Sequence, residues 1–354
     1  MKGKKWSDGT YPIDFVVTWV DGDNEEWLAE MEKYGRKTAK HVDARNRRYR
    51  NWHTFQYWFR GVEEYAPWVR KIYVVTPGYY PEWLRLDHPK IVPVDQNMLL
   101  PEDCRPTFSS CSTELCLHRI PGLSEHFVYF NDDMFLINKT KPADFFRDGL
   151  PLDSVAVSAE SISTHHDGHT FYGIPMKNLE LVAKHFTKKE VLRGNWYKFM
   201  DPRNGIRNLT KTMLTMPYRN FTGFNEPHTA YSYLKSTWDE IWNAEFDEVD
   251  ETLHSRFRSD YGLSQWCCRY WQICSGTFKV RRSSFSRCIG IEDKDKMEKG
   301  VDALLHGRAK VLCLNDEFED KEFNECIGRI QSAFQEKFPR KSSFEREFLP
   351  EEAE

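Results

Sequence analysis

Glu125-His126-Phe127-Val128-Tyr129-Phe130-Asn131-Asp132-Asp133-Met134-Phe135 is a short apolar run that stops abruptly at two adjacent carboxylates. Phe127 to Phe130 reads as a buried strand, and Asn131-Asp132-Asp133 lies just past its C-terminal end, where open α/β sheets bind ligands. Two neighbouring acids repel one another unless positive charge lies between them, and a divalent cation supplies it. Acid pairs also cap turns and helices, so the pair alone leaves a structural reading open. Read as chemistry, it points to a metal-assisted enzyme acting on a phosphorylated substrate.

The flanking segments extend the sheet. Ile13 to Val20 is a β-branched and aromatic run broken by Asp21-Gly22, and Lys71 to Thr76 is a second one running into Pro77-Gly78. Between them, Trp52 to Tyr65 places Phe55, Trp58, Phe59 and Val62 at helical spacing and ends before Pro67. Strand, helix, strand predicts an α/β fold with a Rossmann-like, mostly parallel sheet. Ile91 to Val94 and Ser154 to Val157 are further candidate strands, and Lys310 to Leu314 returns to strand character before Asn315-Asp316. Three strands thus end in acid, at Asp21, Asp132-Asp133 and Asp316, and in one parallel sheet these tips share an edge. From about 178 to 275 the chain turns helical, Trp-rich and charged, which predicts an insertion or subdomain over the site. Residues 10–345 are expected to form one catalytic domain, with a final helix from Lys321 and a loosely ordered tail over 346–354.

Composition narrows the function. Hydrophobic residues make up 40% and charged ones 29% of 354, enough for a sizeable core under a soluble surface. A net charge of −4 argues against broad nucleic-acid binding. Nine cysteines, odd in number and without a CxxC pair, predict reduced thiols in a cytoplasm and no zinc site. No apolar h-region follows Met1-Lys2-Gly3-Lys4-Lys5, and no run is long enough to cross a bilayer. GxGxxG and GxxxxGK[ST] are both missing, so phosphates must be held by side chains, metal and helix N-termini.

These same segments carry a family resemblance. Ile13 to Gly22 resembles the first signature block of the Stealth family. Tyr65 to Thr76, continuing through His118 to Phe135, resembles the second. Glu226-Pro227-His228-Thr229 sits where the third has its histidine, and Cys313-Leu314-Asn315-Asp316, with a helix and Phe338-Pro339, resembles the fourth. The resemblance implies transfer of a sugar-1-phosphate from a UDP- or GDP-sugar to a hydroxyl of an oligosaccharide or polysaccharide acceptor. A phosphodiester forms and a nucleoside monophosphate leaves. The bacterial branch, which builds capsule and cell-wall polysaccharide, is the better match. Its acceptors are often lipid-linked, which implies work at the inner face of the plasma membrane and peripheral membrane association.

Such a transfer needs charge neutralisation and in-line positioning more than covalent chemistry. Asp132, Asp133 and Asp316 are the candidate ligands for Mg²⁺ or Mn²⁺. His228 is the first candidate for the base that takes the hydroxyl proton, with Asp133 the alternative. Arg48, Arg50 and Arg119 are candidates for a phosphate clamp, although Arg48 and Arg50 also fit a solvated charge run. Asp21, Asn131 and Asn315 are candidate substrate contacts, and Asp21-Gly22 equally fits a plain turn. An ordinary glycosyltransferase would use the same acids and donor. A silent carbohydrate-binding protein would explain the aromatic content but not three acidic tips.

Overall fold

The computed structural model of the protein describes residues 11–35, 42–43, 49–160, 173–318 and 320–347. In chain order it begins with β1 (Ile13–Thr18), α1 (Glu25–Gly35), the short β2 (Val42–Asp43), α2 (Phe55–Tyr65), β3 (Ile72–Thr76), β4 (Ile91–Asp95) and α3 (Ser110–Leu115). Next, β5 (His126–Asn131) passes through Asp132-Asp133 into β6 (Met134–Leu136), followed by β7 (Phe146–Arg147) and β8 (Leu150–Asp153). A helix-rich stretch holds α4 (Gly173–His185), α5 (Lys188–Phe199), α6 (Ile206–Thr215), β9 (Tyr231–Leu234), α7 (Ser236–Ala244), α8 (Phe246–Leu253), β10 (Arg258–Ser259) and α9 (Trp266–Ser275). The last elements are β11 (Lys279–Val280), β12 (Ser286–Ile291), α10 (Lys294–His306), β13 (Val311–Asp316) and α11 (Asp320–Lys337).

The central sheet runs β4-β3-β1-β5-β9. Its first four strands are parallel, and β9 closes one edge antiparallel to β5. Alternate residues point to opposite faces of a strand, and here both faces are dry. Phe15, Val17, Ile72, Val74, Val128 and Phe130 enter one core. Val16, Tyr73, Val75, Phe127 and Tyr129 enter the other. That explains why these strands read as continuous apolar runs rather than alternating ones. On the first face α2 buries Trp58 against Phe130, with ring centroids 5.4 Å apart and planes at 85°. Gly61 lets this helix approach closely, since a Cβ there would lie 2.7 Å from the Leu136 carbonyl oxygen.

Three differences from the sequence reading follow from pairing partners. β13 joins a separate sheet, β12-β13-β6, rather than the central one. Asp316 still comes near the other acids, because β5 turns through Asp132-Asp133 straight into β6, and β6 pairs antiparallel with β13. The strand expected over 154–157 lies earlier, in β8, and Val157 makes only an isolated bridge to Phe224. Within the helix-rich stretch, Tyr231 to Leu234 forms β9 and completes the central sheet, so these helices are tied into the main core. Among the described residues no helix is long and apolar enough to cross a membrane.

One ion pair pins the sheet. Asp14 on β1 is fully buried and accepts from Arg70 at 2.8 Å (Nε) and 2.5 Å (Nη2), and from the Ser124 amide at 2.8 Å. Arg70 also donates to the Gly122 carbonyl, so β1 is strapped to the turns before β3 and β5. Replacing Arg70 by Ala leaves a buried carboxylate without its counter-charge, and because Arg70 is itself 40% exposed and water can take its place, the cost is about 1–3 kcal/mol. Urea denaturation of Arg70→Ala should show that loss; an unchanged midpoint would mean that Ser124 alone satisfies Asp14.

Candidate functional site

The C-terminal ends of β1 and β5 open into a cleft of about 1410 Å³. Thr18, Asn131, Asp132 and Asp133 form its floor, and His228, Cys288, Asn315 and Asp316 line it from the other elements. Trp27, Tyr49 and Trp266 give the walls an aromatic character.

Asp133 is the centre of this arrangement. Its Oδ2 accepts from the Cys313 thiol at 3.2 Å and faces His228 Nε2 at 3.4 Å. Its Oδ1 is buried and finds no hydrogen-bond partner among the described residues. Burial and the neighbouring Cys288 thiol push the Cys313 thiol well above its ordinary pKa, so it stays protonated and donates. Asp132 opens onto the water of the cleft but is walled by protein on its other sides. That desolvation, with the charge of Asp133 beside it, pushes its carboxyl up to about 7. Burial pushes the His228 imidazole down, yet the hydrogen bond and charge of Asp133 outweigh it, and the net pKa is raised to about 9.

The chain holds His228 under strain. Its φ is +38°, a region that side chains other than glycine rarely adopt. The loop that imposes this conformation is anchored by Arg269 from α9, a fully buried guanidinium. Arg269 donates to Glu226 Oε1 and the Asn225 carbonyl at 3.0 Å each, and to Asp153 Oδ2 at 2.7 Å. The sequence reading missed this anchor. Its signal was a single charge inside Trp266-Cys267-Cys268-Arg269-Tyr270-Trp271, where a burial-prone helix needs a buried partner.

The other candidates divide by position. Asp316 and Arg50 come together, and they hold each other. Asp316 accepts from Arg50 at 2.9 and 3.2 Å, from Trp52 Nε1 at 3.0 Å and from the Phe318 amide at 3.1 Å. Burial nevertheless leaves the Asp316 carboxyl above its ordinary value. Asn315 lines the cleft and donates to Glu317 at 2.8 Å. Asp21 stands beside the cleft residues Val20 and Asn51 without lining it, accepting from Asn51 at 3.0 Å and from the Asp23 amide at 3.2 Å. Arg119 is not brought to the cleft: it donates to the Leu99 carbonyl at 2.8 Å and lies over Trp242. Arg48 lies outside the described residues.

A divalent ion fits this geometry. The unpartnered Oδ1 of Asp133 and the crowded carboxylate of Asp132 lack positive charge, and oxygen donors suit a hard cation. Donor atoms of Asp133, His228 and Cys313 also lie within 4.8 Å of one another. In metal-free protein the Asp133–His228 pair has a testable sign. Because the folded-state pKa of His228 is raised, the pair's stabilisation is complete below pH 6.5 and is lost as pH climbs through about 9. The stability gap between wild type and His228→Gln in chelator should therefore shrink across that window, measured by chemical denaturation; a gap that widens with pH contradicts the pairing.

Known proteins give the chain its kinship. Residues 11–39 match Stealth protein CR1, conserved region 1, and residues 48–152 match Stealth protein CR2, conserved region 2. The chain is 38% identical over 339 residues to the capsular polysaccharide phosphotransferase WcwK of Streptococcus pneumoniae, covering 94% of this chain and 99% of that protein. It is 37% identical over 343 residues to the exopolysaccharide phosphotransferase cps2G of Lactiplantibacillus plantarum, covering 96% and 98%. Among solved structures, the galactosyltransferase LgtC aligns over 91% of this chain and 95% of its own at 10% identity and a TM-score of 0.39. Identity sustained over nearly the full length of both phosphotransferases, with the two conserved regions in order, means that the chain belongs to the Stealth family.

Proposed function

We propose that this protein is a polysaccharide phosphotransferase that moves a sugar-1-phosphate from a UDP- or GDP-sugar to a hydroxyl of a growing capsular or exopolysaccharide chain. The relatives' phosphotransferase activity supports the reaction class. The observation that carries the assignment to a site is the pair Asp132-Asp133, with one carboxylate oxygen unpartnered among the described residues and His228 3.4 Å from the other Asp133 oxygen, in a cleft of about 1410 Å³. Residues 10–345 act as one catalytic unit in this reading, with the helices over 178–275 shaping the acceptor side.

The reaction forms a bond from the acceptor oxygen to the β-phosphorus and breaks the bridge to the nucleoside monophosphate. Asp132 and Asp133 would hold a Mg²⁺ or Mn²⁺ ion, which would supply charge neutralisation for the donor pyrophosphate and the leaving group. With Nε2–H turned to Asp133, His228 has Nδ1 left to accept the hydroxyl proton, and Asp133 stabilises the imidazolium that results. A pKa raised to about 9 makes the imidazole a strong base whose neutral fraction grows with pH. Arg50, fixed by Asp316, and Arg258, which also lines the cleft, place positive charge toward the donor phosphates. Asn131 and Asn315, at the tips of β5 and β13, are positioned for donor hydroxyls. Tyr49, half-buried and packed edge-to-face at 4.8 Å on the buried Trp27, is the ring of this wall best placed for a nucleobase or a sugar.

Purified protein incubated with Mg²⁺, UDP- and GDP-sugars and oligosaccharide acceptors should release a nucleoside monophosphate while the acceptor gains a hexose phosphate by mass. Release of a nucleoside diphosphate, with only a hexose added, would make it a glycosyltransferase. His228→Ala should lower kcat by about 10²–10⁴-fold with donor KM little changed, in steady-state assays of the released nucleotide. A variant of near-normal kcat would remove His228 from proton transfer.

A further inference from the structure

Helix α6 is built inside out. On α6, Asn208, Thr212 and Thr215 are buried, Thr212 Oγ1 accepting from the Val157 amide and Thr215 Oγ1 donating to the Val157 carbonyl, each at 3.2 Å. The opposite stripe, Ile206, Thr210, Met213 and Leu214, follows helical i, i+4, i+7, i+8 spacing and faces water, with Ile206 81% and Leu214 72% exposed. A helix folded for solubility would reverse this burial. α5 runs antiparallel beside it: Lys188 donates to the Thr215 and Tyr218 carbonyls at one end, and Asn204 donates to the Lys198 carbonyl at the other. Trp196 and Tyr197 add two exposed rings. Seven of the ten large exposed apolar side chains found among the described residues fall between 196 and 218. Single exposed apolar residues are ordinary, but such concentration marks a contact surface.

Charge says what the surface meets. Residues 188–219 hold eight Lys and Arg against Glu190 and Asp201, a net +6 within a chain of net −4. Lys189, Arg193, Arg207 and Arg219 are exposed among the apolar side chains. Aliphatic side chains, Trp and Tyr rings, and interspersed guanidinium groups on one short helical element match a bilayer interface with anionic headgroups. We propose that the α5–α6 hairpin docks this protein onto an anionic lipid bilayer, independently of which sugar it transfers. A soluble anionic glycan would pair with the arginines and stack on the rings, but it offers no hydrocarbon to Ile206, Met213 and Leu214. The hairpin also touches the loop of the catalytic histidine: Lys211 donates to Asn225 Oδ1 at 2.6 Å, three residues before His228. Docking therefore holds that loop at the membrane surface, where a lipid-borne acceptor would be met.

Sedimentation of the full chain with vesicles tests this directly, comparing phosphatidylglycerol–phosphatidylcholine mixtures with pure phosphatidylcholine. We expect binding about tenfold or more tighter to the anionic vesicles. The doubles Ile206→Ser/Leu214→Ser and Arg193→Glu/Arg207→Glu should each weaken it by about tenfold. Both should leave thermal melting and the donor KM unchanged, because their side chains are exposed and lie outside the lining of the cleft. Absence of binding to anionic vesicles, equal binding to neutral ones, or variants that bind like wild type would each overturn the proposal. So would wild-type protein that ignores vesicles and instead binds a soluble polyanionic glycan through Trp196.

Discussion

Repulsion between the carboxylates of Asp132 and Asp133 is the constraint around which the rest of the cleft is arranged. Burial makes Asp132 costly to ionise, and the charge of Asp133 beside it adds to that cost, so the Asp132 carboxyl is pushed up to about 7. The fold answers it in part. Asp133 leans on the His228 imidazole and the Cys313 thiol, drawn from two different parts of the chain, and still keeps one oxygen unsatisfied. A site whose compensation is left incomplete in this way suits a cation.

Everything outside the floor serves to hold its partners still. Arg269 is paired twice over, to Asp153 and Glu226, and so fixes the loop that forces His228 into a left-handed backbone conformation. Arg50 and Trp52 clamp Asp316 on the opposite wall. Asp14 and Arg70 strap the first strand to its neighbours from below. In each case a buried charge is balanced by a partner far away in sequence, so the cleft is assembled by long-range pairs rather than by any local motif.

That long-range character explains what was readable in the amino-acid order and what was not. The central strands were legible because both of their faces are dry, which writes uninterrupted apolar runs such as Phe127 to Phe130. The acid pair was legible because it ends such a run. Placing β13 in the central sheet was an error with a physical origin: apolar content tells that a strand is buried, not which strand it pairs with, and β13 pairs with β6 and β12. The reach of Asp316 to Arg50, the strained backbone of His228 and the anchoring role of Arg269 depend on partners separated by tens to hundreds of positions, which spacing cannot reveal. The exposed stripe of α6 was hidden for the opposite reason, since helical periodicity shows that a helix has two faces and not which of them is turned inward.

The link between β5 and β6 is two residues long, and its ends belong to different sheets. Inserting or deleting a single residue there would swap the two buried faces of β6, forcing Met134 and Leu136 into the space packed for Phe135 and Phe135 into theirs. The floor of the cleft therefore cannot drift in length as surface loops do. Descendants of this scaffold that acquire new sugars or acceptors must do so by rewriting the walls, while the acids stay where the two sheets meet.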